Sequence, residues 1–457
     1  MRIIIIGGGV VGSSLAEQLL LDGHHLALIE TNPELCERLS GKHDLQILNG
    51  SGASPQLLQE AGIESADLIV AATPNDELNL VVCSIAAQYN VPQRIARLRD
   101  REYRLGNPAF DIRQTGITEV IHPEKVMVDH ILQFVTTPHA VESANFEDGR
   151  VLMRGYRIRD NMAVAGKTPQ QIRAEIAPDI VLFAAIVRNG QGMIPGGDTR
   201  IEAGDIVYTL FPHESLGRFM GLVGQEKKKS RKIIVTGDSY ALMEMSRALQ
   251  DSQHNVMVVD PDYEQAQKVA GLFENIDVIH GDCTDADVLR EINVQAASFF
   301  IAVSSEADYN MMSALLAKAE GAHEVIATSG EARHDRLFRS IGIDHVINPR
   351  RTAAREILEI ISRGHIGAVV RLANVDIEAV RFTVEPDSEI AGMSIKSLAK
   401  RLKKGTIVGV IVRAGRLILP SGDTVVEAHD HLIVITRHST LPSVAKLFRT
   451  KGLFSRK

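Results

Sequence analysis

Gly7-Gly8-Gly9-Val10-Val11-Gly12 is the segment whose residue types and spacing most directly suit a ligand. This G-x-G-x-x-G follows the apolar run at 3–6 and precedes a helical pattern, the context in which the hexapeptide binds a dinucleotide. Gly7 permits the tight turn, Gly9 lets the backbone approach a pyrophosphate, and Gly12 lets helix and strand pack closely. Free N–H groups at the helix start, around Val10 and Val11, then face the anion. Glu30 closes the next strand, where a carboxylate binds both hydroxyls of an adenosine ribose. A 2′-phosphate there would meet like charge, so the pattern predicts NAD(H) rather than NADP(H).

Further candidates lie at other strand ends. Thr73 and Pro74 follow the apolar run at 68–72, at the carboxyl end of a strand, where ligands sit in such sheets. Asn75, Asp76 and Asn79 open the next helix, with an N-cap role for Asn75 or Asp76 as the alternative. Arg97 and Arg99 alternate on one face of a strand. Either could neutralise a phosphate or simply form a surface ion pair. Ser51-Gly52 could shape an adenine pocket.

The elements that must position these residues repeat along the chain. Gly7 and Gly237, Glu30 and Asp260 each stand 230 positions apart, and Asn79 and Asn310 stand 231 apart. The turns IPGGDT at 194–199 and LPSGDT at 419–424 match as well. The chain therefore reads as a tandem duplication. Each half opens with strands alternating with helical periodicity, which specifies a doubly wound parallel sheet of Rossmann type. Each then closes with a small, Gly-rich α+β module. The expected domains are 1–136 (NAD-binding), 137–223, 231–352 (Rossmann-like with a degenerate loop) and 366–457. The segment 224–232, GQEKKKSRK, reads as a linker; its lysines suit a solvated hinge better than a patch for anionic lipid.

Composition removes several function classes. A net charge of −7 offers no basic field for nucleic acid. Cys36, Cys83 and Cys283 are far apart and form no CxxC pair, as in a reducing compartment. No apolar run approaches the roughly 18 residues of a membrane helix. The run at 3–6 leads straight into glycines without a cleavage site, so it reads as a buried strand rather than a signal peptide.

The four-module order, with IIIIGGGVVG, ALIE, ADLIVAATPNDELN, RIARLR and the two GDT turns, resembles the TrkA family. The likeness covers essentially the whole chain. It implies tandem RCK (KTN) and RCK-C domains in a cytosolic regulatory subunit. Such a subunit forms a homo-oligomer at the inner face of the membrane, beneath a membrane-embedded potassium-translocating Trk subunit. It binds NAD(H), with room for another adenine nucleotide, and gates transport without catalysis. By position, the family's nucleotide contacts fall on Gly7, Gly8, Gly9, Val10, Val11, Glu30, Thr73, Pro74 and Arg97. An apolar stretch at 311–319, MMSALLAKA, suggests pairing of large modules, with the alternative that it merely covers its own sheet and the halves pair only within the chain.

The second half departs from that pattern. Its loop runs Gly237-Asp238-Ser239-Tyr240-Ala241-Leu242, with Ser239 and Leu242 where the first half has Gly9 and Gly12. Leu242 is expected to push its helix away from the strand. Gly237 and Asp260 remain candidate contacts of a weaker site. The competing reading of the whole chain is an NAD-dependent oxidoreductase with an unrecognised substrate. That would need a proton-transfer group against the nicotinamide, and no such constellation stands out. His429-x-His431 is the one close pair with metal-like spacing, and its place in EAHDHL reads as an ordinary turn. A redox-sensing transcription factor would need a recognition helix, which is absent from the sequence.

Overall fold

Runs of β-branched residues buried on both faces, alternating with helices, build the two large modules. In the computed structural model the described residues are all but 22, 41–44, 104–106, 108, 177–180, 225–229, 238, 331, 362–365, 373–374, 404 and 449–457. Most of the linker expected at 224–232, and Asp238, lie outside them.

The first large module runs β1 (Arg2–Ile6), α1 (Val10–Leu21), β2 (His25–Glu30), α2 (Pro33–Ser40), β3 (Gln46–Asn49), α3 (Pro55–Glu60), β4 (Leu68–Ala71), α4 (Asp76–Gln88), β5 (Gln93–Arg97), β6 (Glu119–Ile121) and α5 (Pro123–Thr136). Its sheet has the order β3-β2-β1-β4-β5-β6 and is parallel throughout. The order reverses between β1 and β4, which opens a crevice at their carboxyl ends. The first small module comprises β7 (Ala140–Phe146), β8 (Val151–Arg157), α6 (Pro169–Ile176), β9 (Leu182–Arg188), β10 (Gln191–Met193), β11 (Ile206–Pro212) and α7 (Leu216–Leu222). It forms an antiparallel sheet of order β10-β9-β11-β8-β7.

The second half repeats the plan. Its large module runs β12 (Lys232–Thr236), α8 (Ser239–Leu249), β13 (Asn255–Asp260), α9 (Tyr263–Leu272), β14 (Asp277–His280), α10 (Ala286–Glu291), β15 (Phe299–Ala302), α11 (Ala307–Ala319), β16 (Glu324–Thr328), α12 (Ala332–Ser340), β17 (His345–Ile347) and α13 (Pro349–Ile361). The sheet order is β14-β13-β12-β15-β16-β17. The small module holds β18 (Ile366–Arg371), β19 (Glu378–Thr383), α14 (Ile395–Ala399), β20 (Ile407–Arg413), β21 (Arg416–Ile418), β22 (His431–Thr436) and α15 (Leu441–Phe448), in sheet order β18-β19-β22-β20-β21.

The modules associate like with like. Both large modules, Met1–Ile131 and Ser230–Leu358, form one compact unit; both small modules, Leu132–Lys229 and Glu359–Lys457, form the other. Within the second unit the two sheets share one apolar core, in which Phe146, Met153 and Leu210 meet Ile377, Val410 and Ile433. Glycines allow that approach: a Cβ on Gly409 would lie 2.9 Å from Leu182, and one on Gly192 would lie 2.9 Å from Ile377. Among the described residues no helix is long and apolar enough to cross a membrane.

Candidate functional site

The buried strand β1 delivers its chain to the crevice through Gly7, whose φ of +96° is left-handed backbone that suits glycine. The Gly7 amide donates to the Ile29 carbonyl at 2.9 Å, tying the turn to the end of β2. Each glycine of the loop meets a different constraint. A Cβ on Gly12 would stand 1.9 Å from the Gly7 carbonyl oxygen, so helix and turn are in backbone contact. A Cβ on Gly8 would meet Leu39 at 3.0 Å and Leu28 at 3.2 Å. A Cβ on Gly9 would meet nothing within 4 Å. The protein itself does not require glycine there, and the open space lies at the start of α1, whose first turn carries no acidic residue. Backbone amides and open room at a helix start suit a phosphate group.

Glu30 reaches across this loop. Its carboxylate accepts from the Gly8 amide at 2.6 Å, the Asn32 amide at 2.8 Å and the Thr31 hydroxyl at 3.1 Å. Burial acts to raise its pKa, but these hydrogen bonds outweigh it and hold the group below the ordinary carboxylate range. An ionised acid beside the phosphate loop fits a ribose diol and disfavours a 2′-phosphate. Gly7 through Glu30 thus fit the adenosine and pyrophosphate portions of a dinucleotide.

The opposite wall is organised by Asn79, fully buried on α4. Its amide donates to the carbonyls of Thr73 at 3.0 Å and Arg97 at 2.7 Å, and its oxygen accepts from the Thr73 hydroxyl at 2.7 Å. Asn79 clamps the ends of β4 and β5, a role that residue type alone did not disclose. Asn75 is the N-cap of α4, accepting from the Leu78 amide at 2.6 Å, and Asp76 accepts from the amides of Arg99 and Asp100. Pro74 is exposed beside them. Arg97 donates to the Thr73 carbonyl at 3.2 Å, while its Nε is buried without a partner. Burial, then the charge of Arg99, lowers the Arg97 pKa. A guanidinium with an unmet donor beside the loop suits an anion. Arg99 instead pairs with Glu124 at 3.0 Å.

The second crevice is built differently. Asn310 repeats the clamp, donating to the carbonyls of Ser304 and Thr328 at 2.7 and 3.2 Å. Gly237, however, is absent from the left-handed region that Gly7 occupies. Leu242, the counterpart of Gly12, has no exposed surface. A Cβ on Gly237 would meet the Val303 and Ser304 backbone at 2.8–2.9 Å. Asp260 is buried and accepts from the Asp262 amide at 2.9 Å, in its own turn. Thr236, Tyr309 and Cys283 occupy the positions of Ile6, Leu78 and Gly52. The Thr236 and Tyr309 hydroxyls are 2.8 Å apart. Burial foremost pushes both Tyr309 and Cys283 up to about 12. Reading the halves against each other at these three positions would have revealed the cluster.

Among the described residues no group of three His, Cys, Asp or Glu side chains gathers as a metal site. His431 pairs with Glu147 at 2.9 Å instead.

Comparison with known proteins places this architecture. The TrkA-N domain matches residues 3–123 and 233–349, and the TrkA-C domain matches residues 379–449. The Trk system potassium uptake protein TrkA of Haemophilus influenzae is 29% identical over 99% of this chain and 100% of its own length. That of Azorhizobium caulinodans is 30% identical over 98% of this chain and 99% of its own. In fold, the crystal structure of the GsuK RCK domain superposes with a TM-score of 0.59 at 16% identity, covering 98% of this chain and 94% of that one. With two TrkA-N matches, a TrkA-C match and end-to-end likeness to these relatives, the chain belongs to the TrkA family.

Proposed function

We propose that this chain is the nucleotide-binding regulatory subunit of a potassium uptake transporter, with NAD(H) as its effector. Several features support that reading. Its full-length relatives carry the name of Trk potassium uptake proteins, and a fold neighbour is a GsuK channel bound to NAD. The observation that carries it is the unfilled space beside Gly9, facing helix-start amides and flanked by Glu30. In this proposal Gly7, Gly8, Gly9, Val10, Val11 and Gly12 receive the pyrophosphate, Glu30 the ribose, and Thr73, Pro74 and Arg97 the far wall. Gly237 and Asp260 belong to a weaker second site. The large modules span about 1–136 and 231–352, the small ones 137–223 and 366–457. The bound nucleotide supplies charge and contacts rather than hydride chemistry, and the protein works at the inner face of the membrane through its transport partner. An adenine nucleotide other than NAD(H) would use the same loop.

The test is twofold. A cell lacking this chain should lose potassium-dependent rubidium uptake, and the purified protein should bind NADH without oxidising it in the presence of carbonyl acceptors. Sustained loss of absorbance at 340 nm would instead favour an oxidoreductase.

A further inference from the structure

The unit formed by the two small modules contains a cavity of about 420 Å³. One wall is the β7–β8 turn, with Glu147 and Arg150. The other comes from the β20–β21 turn, with Ala414 and Gly415, from His429 in the turn before β22, and from His431 at the start of β22. We propose that this cleft binds the oxyanion group, phosphate or carboxylate, of a small metabolite, and that the occupied cleft ties the two small modules together. The proposal is independent of the nucleotide reading above.

Charge accounting selects an anion. The Glu147 carboxylate is already met by Arg381 at 3.3 Å and by His431 at 2.9 Å. Buried Asp430 is met by Arg413 through two contacts of 2.8 Å. Arg150 forms no side-chain hydrogen bond or ion pair among the described residues, although its Nη1 lies only 2.7 Å from the Cβ position of Gly415. An exposed guanidinium folded over a turn of the other module, with no carboxylate to hold it, is an open half of an ion pair. The His429 ring likewise has no partner among the described residues. Both carboxylates of the cleft are satisfied by Arg413, Arg381 and His431, which leaves Arg150 and the His429 ring as its groups without a partner among the described residues.

The backbone carries the independent observation. The turns of the two small modules are equivalent: Arg188 grips Asp205 in the first as Arg413 grips Asp430 in the second. The first module has Gly204 at φ +93° and Asn189 at φ +51°, residues that tolerate left-handed backbone. The second has His429 at φ +67° and Ala414 at φ +47°. Histidine shares asparagine's tolerance of this region, but alanine does not, so Ala414 is the residue that fold alone would not select. Both replacements line the same cavity, and the strained backbone at Ala414 marks a place where side-chain identity matters more than backbone ease. His429 adds a ring nitrogen, and Gly415, without a side chain, leaves the space that the Arg150 guanidinium occupies. A volume of this size suits a small-molecule ligand.

The test uses the full-length chain saturated with NADH, so that the first crevice cannot report on added anions. Inorganic phosphate and succinate are titrated separately at constant ionic strength, with calorimetry and hydrogen–deuterium exchange as readouts. We expect slowed exchange in segments 145–150 and 410–431 with at least one of the two, and the active probe distinguishes a phosphate from a carboxylate ligand. R150M should weaken that binding at least tenfold. H429G, which restores the residue of the first module, should weaken it similarly while the melting temperature holds or rises, and both variants should keep wild-type NADH affinity. Absence of protection by either anion, or binding that either substitution leaves intact, overturns the proposal.

Discussion

The Gly8 amide donates to the Glu30 carboxylate at 2.6 Å, so the loop proposed to hold a pyrophosphate already orients the acid proposed to hold the ribose. Losing that acid should therefore affect affinity and selectivity together. Glu30→Ala is expected to weaken NADH by about 1.5–3 kcal/mol, the scale of a hydrogen bond to a charged group. It should also narrow the preference over NADPH. Calorimetry with both nucleotides checks this, and an unchanged NADH/NADPH ratio would contradict it.

The same carboxylate has a pH signature. Its folded pKa lies below the ordinary value of 4.5, because hydrogen bonds from Asn32, Gly8 and Thr31 outweigh burial, the largest single effect. Its stabilisation is therefore fully present above about 4.5 and is lost as pH falls through the lower folded value. The stability difference between wild type and Glu30→Gln should be constant from neutrality to about pH 5 and shrink below that. Denaturation midpoints measured at several pH values would show it.

Gly9 and Gly12 should fail in opposite ways. Gly12→Ala places a Cβ 1.9 Å from the Gly7 carbonyl oxygen, an overlap expected to cost about 1–3 kcal/mol and lower the melting temperature. Gly9→Ala meets no protein atom within 4 Å. It should leave melting unchanged while reducing NADH affinity tenfold or more, about 1.4 kcal/mol. Equal affinity in Gly9→Ala would mean that the phosphate lies elsewhere.

Asn79→Ala removes donors from two carbonyls at once, those of Thr73 and Arg97. Leaving buried acceptors unmet costs about 1–3 kcal/mol. Hydrogen exchange should quicken at the ends of β4 and β5, and Asn310→Ala should do the same at β15 and β16.

The two crevices should not bind alike. Calorimetry on the intact chain is expected to give one tight NADH site, abolished by Gly9→Trp. Two sites of equal affinity would refute the asymmetry.

What the sequence disclosed follows from range. The strand–turn–helix at Gly7 is local, and so is its acid at Glu30; both are readable from spacing. Helix α5 is harder, since PEKVMVDHILQFVT follows a strand directly and its apolar residues serve either period. Asn79 looks like an ordinary helix-opening residue until the carbonyls it meets, 6 and 18 positions away, are known. The pairing of large with large and small with small joins residues more than 200 positions apart, as in Arg381 with Glu147, and no local pattern encodes it.

That pairing changes what selection can act on. In a homodimer of a half-length chain, every substitution is imposed on both partners, so paired crevices stay identical. Here both partners sit on one polypeptide, and Ile6 can remain while its counterpart becomes Thr236, hydrogen-bonded to Tyr309. Gly204 can remain while its counterpart becomes His429. Fusion frees each copy from its twin, and one chain can specialise as a pair of unlike receptors.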